Sequence, residues 1–358
     1  AGNVSETSSI SWRLDTKRPT VTLTSTASGH FNRKAAPMEV TATFSEEVTN
    51  FTYECVTVKT GTVSNEVETV EEKKVFKFWV YPEHYGVPTF IDEETVSVSI
   101  DENKVWDYAG NGNEASRNEQ GEQAPLTRVY DTKSPIVTLS SETPDNFNAS
   151  FVPLKVTIGV TGKGVTELLQ ESIVITNGVV SKFEKIDEKR GDDDVITEKT
   201  YALEVMPTKE ALITVVVPES VLTNMTGNTN PASEPPVRKT YDNTAPQNLA
   251  INGEPAQNKV TAATTFDFEA TADDLTAMKF HWTLNGVAVT DNETSKYSGT
   301  VEKGTNWVTV SATDAAGNTC AEVKRTWVVD FEPPENLTLS GMPGKMGEIV
   351  VTNGTDFA

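Results

Sequence analysis

Cysteine is almost absent from this chain: its 358 residues include only Cys55 and Cys320. Two thiols so far apart make neither a disulfide framework nor a zinc cluster, both of which need more ligands at close spacing. Histidine is as scarce, and His30, His84 and His281 are scattered over different segments. No Ser-His-Asp set or metal-ligand spacing can be assembled from them, and the sequence reads as that of a protein that is not an enzyme. Acidic pairs such as Asp273-Asp274 match a glycoside hydrolase in residue type alone, since its two carboxylates must converge in a cleft. No run of 18 apolar residues is present, so nothing in this segment is expected to span a membrane as a helix. Positive charge is also short, at 30 Lys and Arg against 52 Asp and Glu, for a formal net charge of −22. That field excludes nucleic acid and anionic membrane surfaces as partners. It suits a soluble secreted protein, and one that collects divalent cations.

What the chain does have is a repeat. Asp15-Thr16-Lys17-Arg18-Pro19, Asp131-Thr132-Lys133-Ser134-Pro135 and Asp242-Asn243-Thr244-Ala245-Pro246 each place Pro four residues after Asp. Asp330-Phe331-Glu332-Pro333-Pro334 is a fourth copy. The intervals of 116, 111 and 88 residues are each the size of one β-sandwich domain. A second marker precedes each boundary: Asp107-Tyr108-Ala109-Gly110-Asn111, Asn224-Met225-Thr226-Gly227-Asn228 and Asp314-Ala315-Ala316-Gly317-Asn318, with Ala1-Gly2-Asn3 as its truncated tail. Trp12 and Trp327 both stand three residues before a boundary Asp. Gly-Asn supplies the positive-φ positions of a tight turn, and the Asp or Asn before it can bond back to the backbone. The turn is therefore expected between the last two strands of each domain. Asp-x-x-x-Pro is expected to be the linker, where Pro ends one strand and starts the next.

Between the markers the apolar period is two. Met38, Val40, Ala42 and Phe44 alternate with polar residues, as do Val152, Leu154, Val156, Ile158 and Val160, and Phe266, Phe268, Ala270 and Ala272. This is the pattern of half-buried strands, and many short ones without helical periodicity mean antiparallel sandwiches. The reading is all-β: tandem Ig-like sandwiches in an elongated rod. Its divisions are 1–14 (the last strand of a preceding domain), 15–130, 131–241, 242–330, and 331–358 (the first strands of a following one). The segments starting at Val56 and Ile173 align, so the first two full domains are closer kin to each other than to the third. In the third, Phe280-His281-Trp282-Thr283-Leu284 is expected to be an inner strand carrying a core Trp.

With Phe44-Ser45-Glu46-Glu47-Val48 between an Asp-Thr-x-x-Pro linker and an Asp-x-Ala-Gly-Asn turn, the chain resembles the bacterial-type Ig-like repeats of large surface adhesins. The third domain is also similar to hyalin-repeat domains. The resemblance implies a stalk or adhesive array at the cell surface, in a family some of whose members bind calcium at their domain junctions. The expected role is a structural or adhesive segment of a long extracellular rod. The alternative is a module recognising glycans or a surface protein, for which Trp79, Tyr81, Tyr85 and Trp106 are the candidate aromatics.

Calcium needs six to eight hard oxygens. The linker residues Asp15, Asp131, Asp242 and Asp330 and the turn residues Asp107 and Asp314 are the candidate ligands. Asn224, without the charge, is the weakest position. The alternative is that each Asp only caps its own turn. The acidic loop Gly191-Asp192-Asp193-Asp194 is a candidate cation site or a solvated loop. Sequons at Asn3, Asn50, Asn148, Asn224, Asn292, Asn336 and Asn353 are candidate glycosylation sites. Partners are expected among other copies or other extracellular proteins in an ordered surface assembly, with the end segments pairing to neighbours by strand addition.

Cys55 and Cys320 fall in the first and third full domains, so they are not expected to bridge within one chain. Non-reducing electrophoresis and peptide mapping check this: both thiols should be free or bonded to other chains, and an intrachain bridge would contradict the tandem arrangement.

Overall fold

The computed structural model describes residues 2–87, 93–333 and 335. Contacts group Ala1–Asp145 with Ser150–Tyr241 in one compact unit, and Asn146–Ala149 with Asp242–Ala358 in a second.

Among the described residues the first sandwich has eight strands: β1 (Val21–Ser25), β2 (His30–Phe31), β3 (Met38–Phe44), β4 (Thr57–Lys59), β5 (Gly61–Glu71), β6 (Val75–Pro82), β7 (Glu94–Ser99) and β8 (Leu126–Tyr130). One sheet runs β1-β3-β6-β5 and the other β2-β8-β7-β4. All pairs are antiparallel except the short β2–β8 ladder. In β3 the expected alternation holds: Met38, Val40, Ala42 and Phe44 are fully buried. They face Phe76, Phe78 and Val80 of β6 through the Val40↔Phe78 register. Phe44, Phe51, Phe76 and Phe78 pack ring to ring at one end of this core. Truncating a buried Phe to Ala in such a place costs about 3–5 kcal/mol.

The second sandwich follows the same plan: β9 (Ile136–Ser140), β10 (Asn146–Phe147), β11 (Leu154–Thr161), β12 (Val174–Thr176), β13 (Gly178–Arg190), β14 (Ile196–Pro207), β15 (Ala211–Val216) and β16 (Val237–Tyr241). Its first sheet reads β9-β11-β14-β13, and in the second β15 lies between β12 and β16. The kinship extends to irregular backbone. A 3-10 turn at Tyr53–Cys55 recurs at Gln170–Ser172, each leading into the short strand that precedes the long edge strand. Cys55 thus occupies the position of Ser172. Both cysteines are free thiols.

The third sandwich is built differently: β17 (Gln247–Glu254), β18 (Val260–Thr261), β19 (Thr265–Asp273), β20 (Met278–Leu284), β21 (Val287–Ala288), β22 (Lys296–Thr300), β23 (Gly304–Asp314) and β24 (Val323–Val329). Its sheets are β17-β19-β22 and β18-β24-β23-β20-β21. Trp282 is the expected core Trp, 1% exposed, with its indole N–H on the Thr294 carbonyl at 3.0 Å. Trp327 is fully buried against Phe266 and Phe268.

Two expectations concern the ends. Residues 2–14, read as the last strand of a preceding domain, form no strand, and Trp12 is 85% exposed where Trp327 is buried. Residue 334 and residues 336–358, which hold most of the segment read as the next domain, lie outside the described residues.

One buried charge ties a loop to the second sandwich. Lys199, 2% exposed on β14, donates to the Val165 carbonyl and the Glu167 carboxylate, both at 2.9 Å. Tyr201 donates to the other Glu167 oxygen at 2.8 Å, and Lys185 adds a third contact. Although burial pulls Glu167 up, the hydrogen bonds from Lys199, Tyr201 and Lys185 outweigh it and hold the carboxyl at about 2. Its folded value lies below the unfolded one of 4.5, so the stability it supplies is complete above pH 4.5. It is lost as pH falls from there towards 2. Glu167→Gln should lower stability by roughly 1–3 kcal/mol at neutral pH by stripping a buried ammonium of its counter-ion. Urea titrations should show the gap between variant and wild type narrowing across that acid window.

Candidate functional site

Each turn marker meets the boundary Asp that opens its own sandwich. In the first, the Asn111 side-chain amide donates to the Asp15 carbonyl at 3.1 Å and to the Asp107 carboxylate at 2.8 Å. The Asn111 backbone N–H donates to the other Asp107 oxygen, also at 2.8 Å. In the third, Asn318 repeats all three contacts, on Asp242 at 3.0 Å and on Asp314 at 2.7 and 2.8 Å. In the second, Asn228 donates to the Asp131 carbonyl at 2.9 Å and, through its backbone, to Asn224 Oδ1 at 2.9 Å. The boundary Asp is itself folded into a local turn, with its carboxylate accepting the N–H two residues on at Lys17, Lys133, Thr244 and Glu332. Linker and turn are thus closed on each other by the same few donors in all three sandwiches.

Around this clamp the charges differ. At the first, Asp15, Glu46 and Asp107 bring carboxylate oxygens within 4.8 Å of one another. At the third, Asp242, Asp274 and Asp314 do the same. Asp242 is 1% exposed and Asp314 5%. Burial, then the charges of Asp274 and Asp314, push the Asp242 carboxyl above its ordinary value. Burial, then Asp15 and Asp107, do the same to Glu46. Burial pulls Asp107 upward too, but the Asn111 hydrogen bonds prevail and hold it below the usual range. Three crowded carboxylates with hydroxyl and carbonyl neighbours form a hard-oxygen donor set that suits a divalent cation such as calcium.

The second clamp has one carboxylate. Asn224 and Thr226 donate to the Asp131 carboxylate at 3.2 and 3.1 Å, from a side chain only 7% exposed in the case of Asn224. At the offset from the boundary where the first sandwich has Glu46-Glu47, the second has Gly162-Lys163. Lys163 pairs with Glu93 at 2.7 Å and with Asp193 at 3.1 Å. The acidic loop at 191–194 therefore has its cation in a lysine side chain.

Of the six candidate ligands, four are paired by the fold, Asp15 with Asp107 and Asp242 with Asp314. Asp131 is held by hydrogen bonds, and Asp330 is exposed at the end of β24, its N–H on the Thr261 carbonyl. Glu46 and Asp274 were not read as ligands. Both sit just past the end of a strand, β3 or β19, and converge on the turn only once the sheet is formed.

The turn glycines have φ of +87°, +82° and +91° at Gly110, Gly227 and Gly317. At Gly227 a Cβ would also stand 3.3 Å from the Asn32 amide. Asn32 follows β2, and Asn148 stands at the same offset from its own boundary Asp, donating to the Ala316 carbonyl at 2.9 Å. Neither was read as part of a joint.

Among the sequons, Asn224 is excluded in the folded chain, because its buried amide is spent on Asp131 and on the Lys133 carbonyl. Asn3 and Asn50 are exposed, and Asn148 and Asn292 are partly buried. Asn336 and Asn353 lie outside the described residues. Of the aromatics considered for recognition, Trp79 and Tyr81 are half-buried, while Tyr85 and Trp106 are 39% and 40% exposed.

Residues 15–122 match the family of bacterial Ig-like domains. The match opens on the boundary Asp15 and takes in the Asp107–Asn111 turn. No curated protein matches the chain. Solved structures similar to it are tandem arrays. An I-band fragment of titin is 9% identical, covering 89% of this chain and 100% of that one, at a TM-score of 0.33. Fibronectin(III)-like modules of Clostridium thermocellum CbhA are 15% identical, over 57% of this chain and 100% of theirs, at 0.27. A Dscam structure is 11% identical, over 88% and 74%, at 0.27. None is similar enough for its ligand or role to carry over. No helix among the described residues is long and apolar enough to cross a membrane.

Asn318→Ala removes the two bonds its amide donates, to the Asp242 carbonyl and the buried Asp314 carboxylate, and the one its Oδ1 accepts from the Asn148 amide. It should cost about 2–4 kcal/mol, read as a lower urea midpoint. Asn3→Ala, at an exposed position outside every strand, should leave the midpoint in place.

Proposed function

We propose that this chain is a structural or adhesive segment of a long extracellular rod of Ig-like domains, stiffened by calcium at its first and third clamps. The observation that carries the reading is the recurrence of one linker-to-turn clamp in all three sandwiches, with a triad of carboxylates beside two of them. A spacer must fix the chain where one domain gives way to the next, and that is where a chemistry repeated three times is spent. The surface field of −22 and the bacterial Ig-like match fit a secreted surface protein. Other copies or other surface proteins are the partners such an array would hold.

The alternative, a module that binds glycans or a surface protein, draws on the first sandwich, where Trp106 just before the turn and Tyr108 within it are 40% and 61% exposed. A glycan array probed with wild type and Trp106→Ala separates the two, since a spacer gives no signal that depends on Trp106.

Calcium should raise thermal stability, by about 2.7 kcal/mol per site at a hundred times the dissociation constant. Asp242 and Glu46 take up protons more readily folded than unfolded, so without a cation their deprotonation weakens the fold as pH rises from the ordinary carboxylate values through their raised ones. The calcium gain should therefore be larger at pH 7 than at pH 4. Asn224→Asp adds the missing turn carboxylate to the second clamp. It should destabilise the chain in EDTA and recover at least part of the loss in calcium. Identical melting and small-angle scattering curves in calcium and in EDTA would remove the cation from the proposal and leave the clamp alone.

A further inference from the structure

A different cluster lies in the first sandwich, away from the clamps. β6 ends at Pro82, and the chain turns through Glu83-His84-Tyr85-Gly86, closed by the Tyr85 N–H on the Pro82 carbonyl at 3.0 Å and by Gly86 at φ +80°. This turn faces the first residue of β7, Glu94, whose side chain is 4% exposed. The Glu83 N–H donates to one Glu94 oxygen at 2.8 Å, which fixes the carboxylate and turns its second oxygen to His84 Nδ1 at 2.7 Å. The Glu83 carboxylate joins them, and the three donor atoms lie within 4.8 Å of one another. His84 would satisfy Glu94 by itself. It does not account for Glu83, whose exposed carboxylate is free to swing into water and instead adds a second negative charge beside a buried one.

We infer that Glu83, His84 and Glu94 form a zinc site, with water completing the coordination. One imidazole nitrogen and two carboxylates are a borderline donor set that suits zinc, whereas calcium wants six or more oxygens. Ligands about 2.0–2.2 Å from a tetrahedral ion stand roughly 3.4 Å apart, so His84 and Glu94 open by less than about 1 Å and Glu83 closes in by at most about 1.4 Å. The ion replaces the hydrogen bond between His84 and Glu94 and neutralises the two carboxylates. β6 and β7 belong to opposite sheets, so the bound ion staples the sandwich across its core, in a chain whose two cysteines are both free.

The test is calorimetric titration of the whole chain with zinc chloride at pH 7.5, in excess calcium so that the clamp carboxylates are occupied. Wild type should bind with a melting temperature that rises on zinc addition. His84→Ala should lose at least tenfold in affinity along with that rise, and its melting in EDTA reports whether it is folded. Glu83→Gln, at an exposed position that leaves the core untouched, should weaken binding while keeping the fold. No binding by wild type, or affinity unchanged in both variants because zinc sits at another histidine, would overturn the assignment.

Discussion

A side-chain amide on a backbone carbonyl sets the frame of each sandwich. Asn111, Asn228 and Asn318 each spend one N–H on the carbonyl of a boundary Asp that lies far back in sequence, and their backbone N–H on the head of their own turn. Each bond contributes only about 1 kcal/mol net. Their effect comes from what they join. The turn arises from the last two strands, and the linker leads into the first. Fixing one to the other sets where β1, β9 and β17 begin. In a strand of period two a slip of one residue would turn every core side chain to solvent. Pro19, Pro135 and Pro246 then hold the linker extended between clamp and strand.

The clamp tolerates a change of charge that its surroundings must answer. With an Asp at the head of the turn and a third acid nearby, as at Asp107 and Asp314, the carboxylates crowd and two groups are pushed towards protonation. With Asn224 in that place the same geometry is neutralised from inside, by an amide and the Thr226 hydroxyl on Asp131. The acid at 46 has gone as well, and Lys163 stands at the position of Glu47. One backbone solution thus carries two electrostatic ones, and only the first invites an ion.

Much of this was legible in the sequence, because it is local. The markers, their spacing, the strand alternation of β3, β11 and β19, and the inner Trp282 rest on patterns of a few residues. The kinship of the first two sandwiches could be read from the segments at Val56 and Ile173, which each follow a 3-10 turn and fold into the same short strand. What escaped depends on contacts across the sheets. Glu46 and Asp274 look like ordinary surface acids until β3 and β19 place their ends beside the turn. Glu83 and His84 meet Glu94 only because β6 and β7 face each other. Trp12 has the offset of Trp327, but a core Trp is made by the aromatics that surround it, and Trp12 is 85% exposed.

The edge strands show how two like sandwiches can stand next to each other without joining. β5 and β13 are the longest strands of their domains, 11 and 13 residues, and each closes the end of its sheet. A long flat edge is a template for a foreign strand, most of all for a homologous one held nearby on the same chain. β13 meets that hazard with Lys182, Glu184, Lys185, Asp187, Glu188, Lys189 and Arg190, and with three interruptions of its register against β14. β5 carries Glu66, Glu68 and Glu71 and two interruptions. The bulges twist each edge away from flatness, and a neighbour would have to desolvate those charges to pair. β5 is uniformly acidic where β13 alternates in sign, so the two edges differ in the property that governs their pairing. Two domains that share a topology down to a 3-10 turn differ in the charge of the edges where sameness would be a liability.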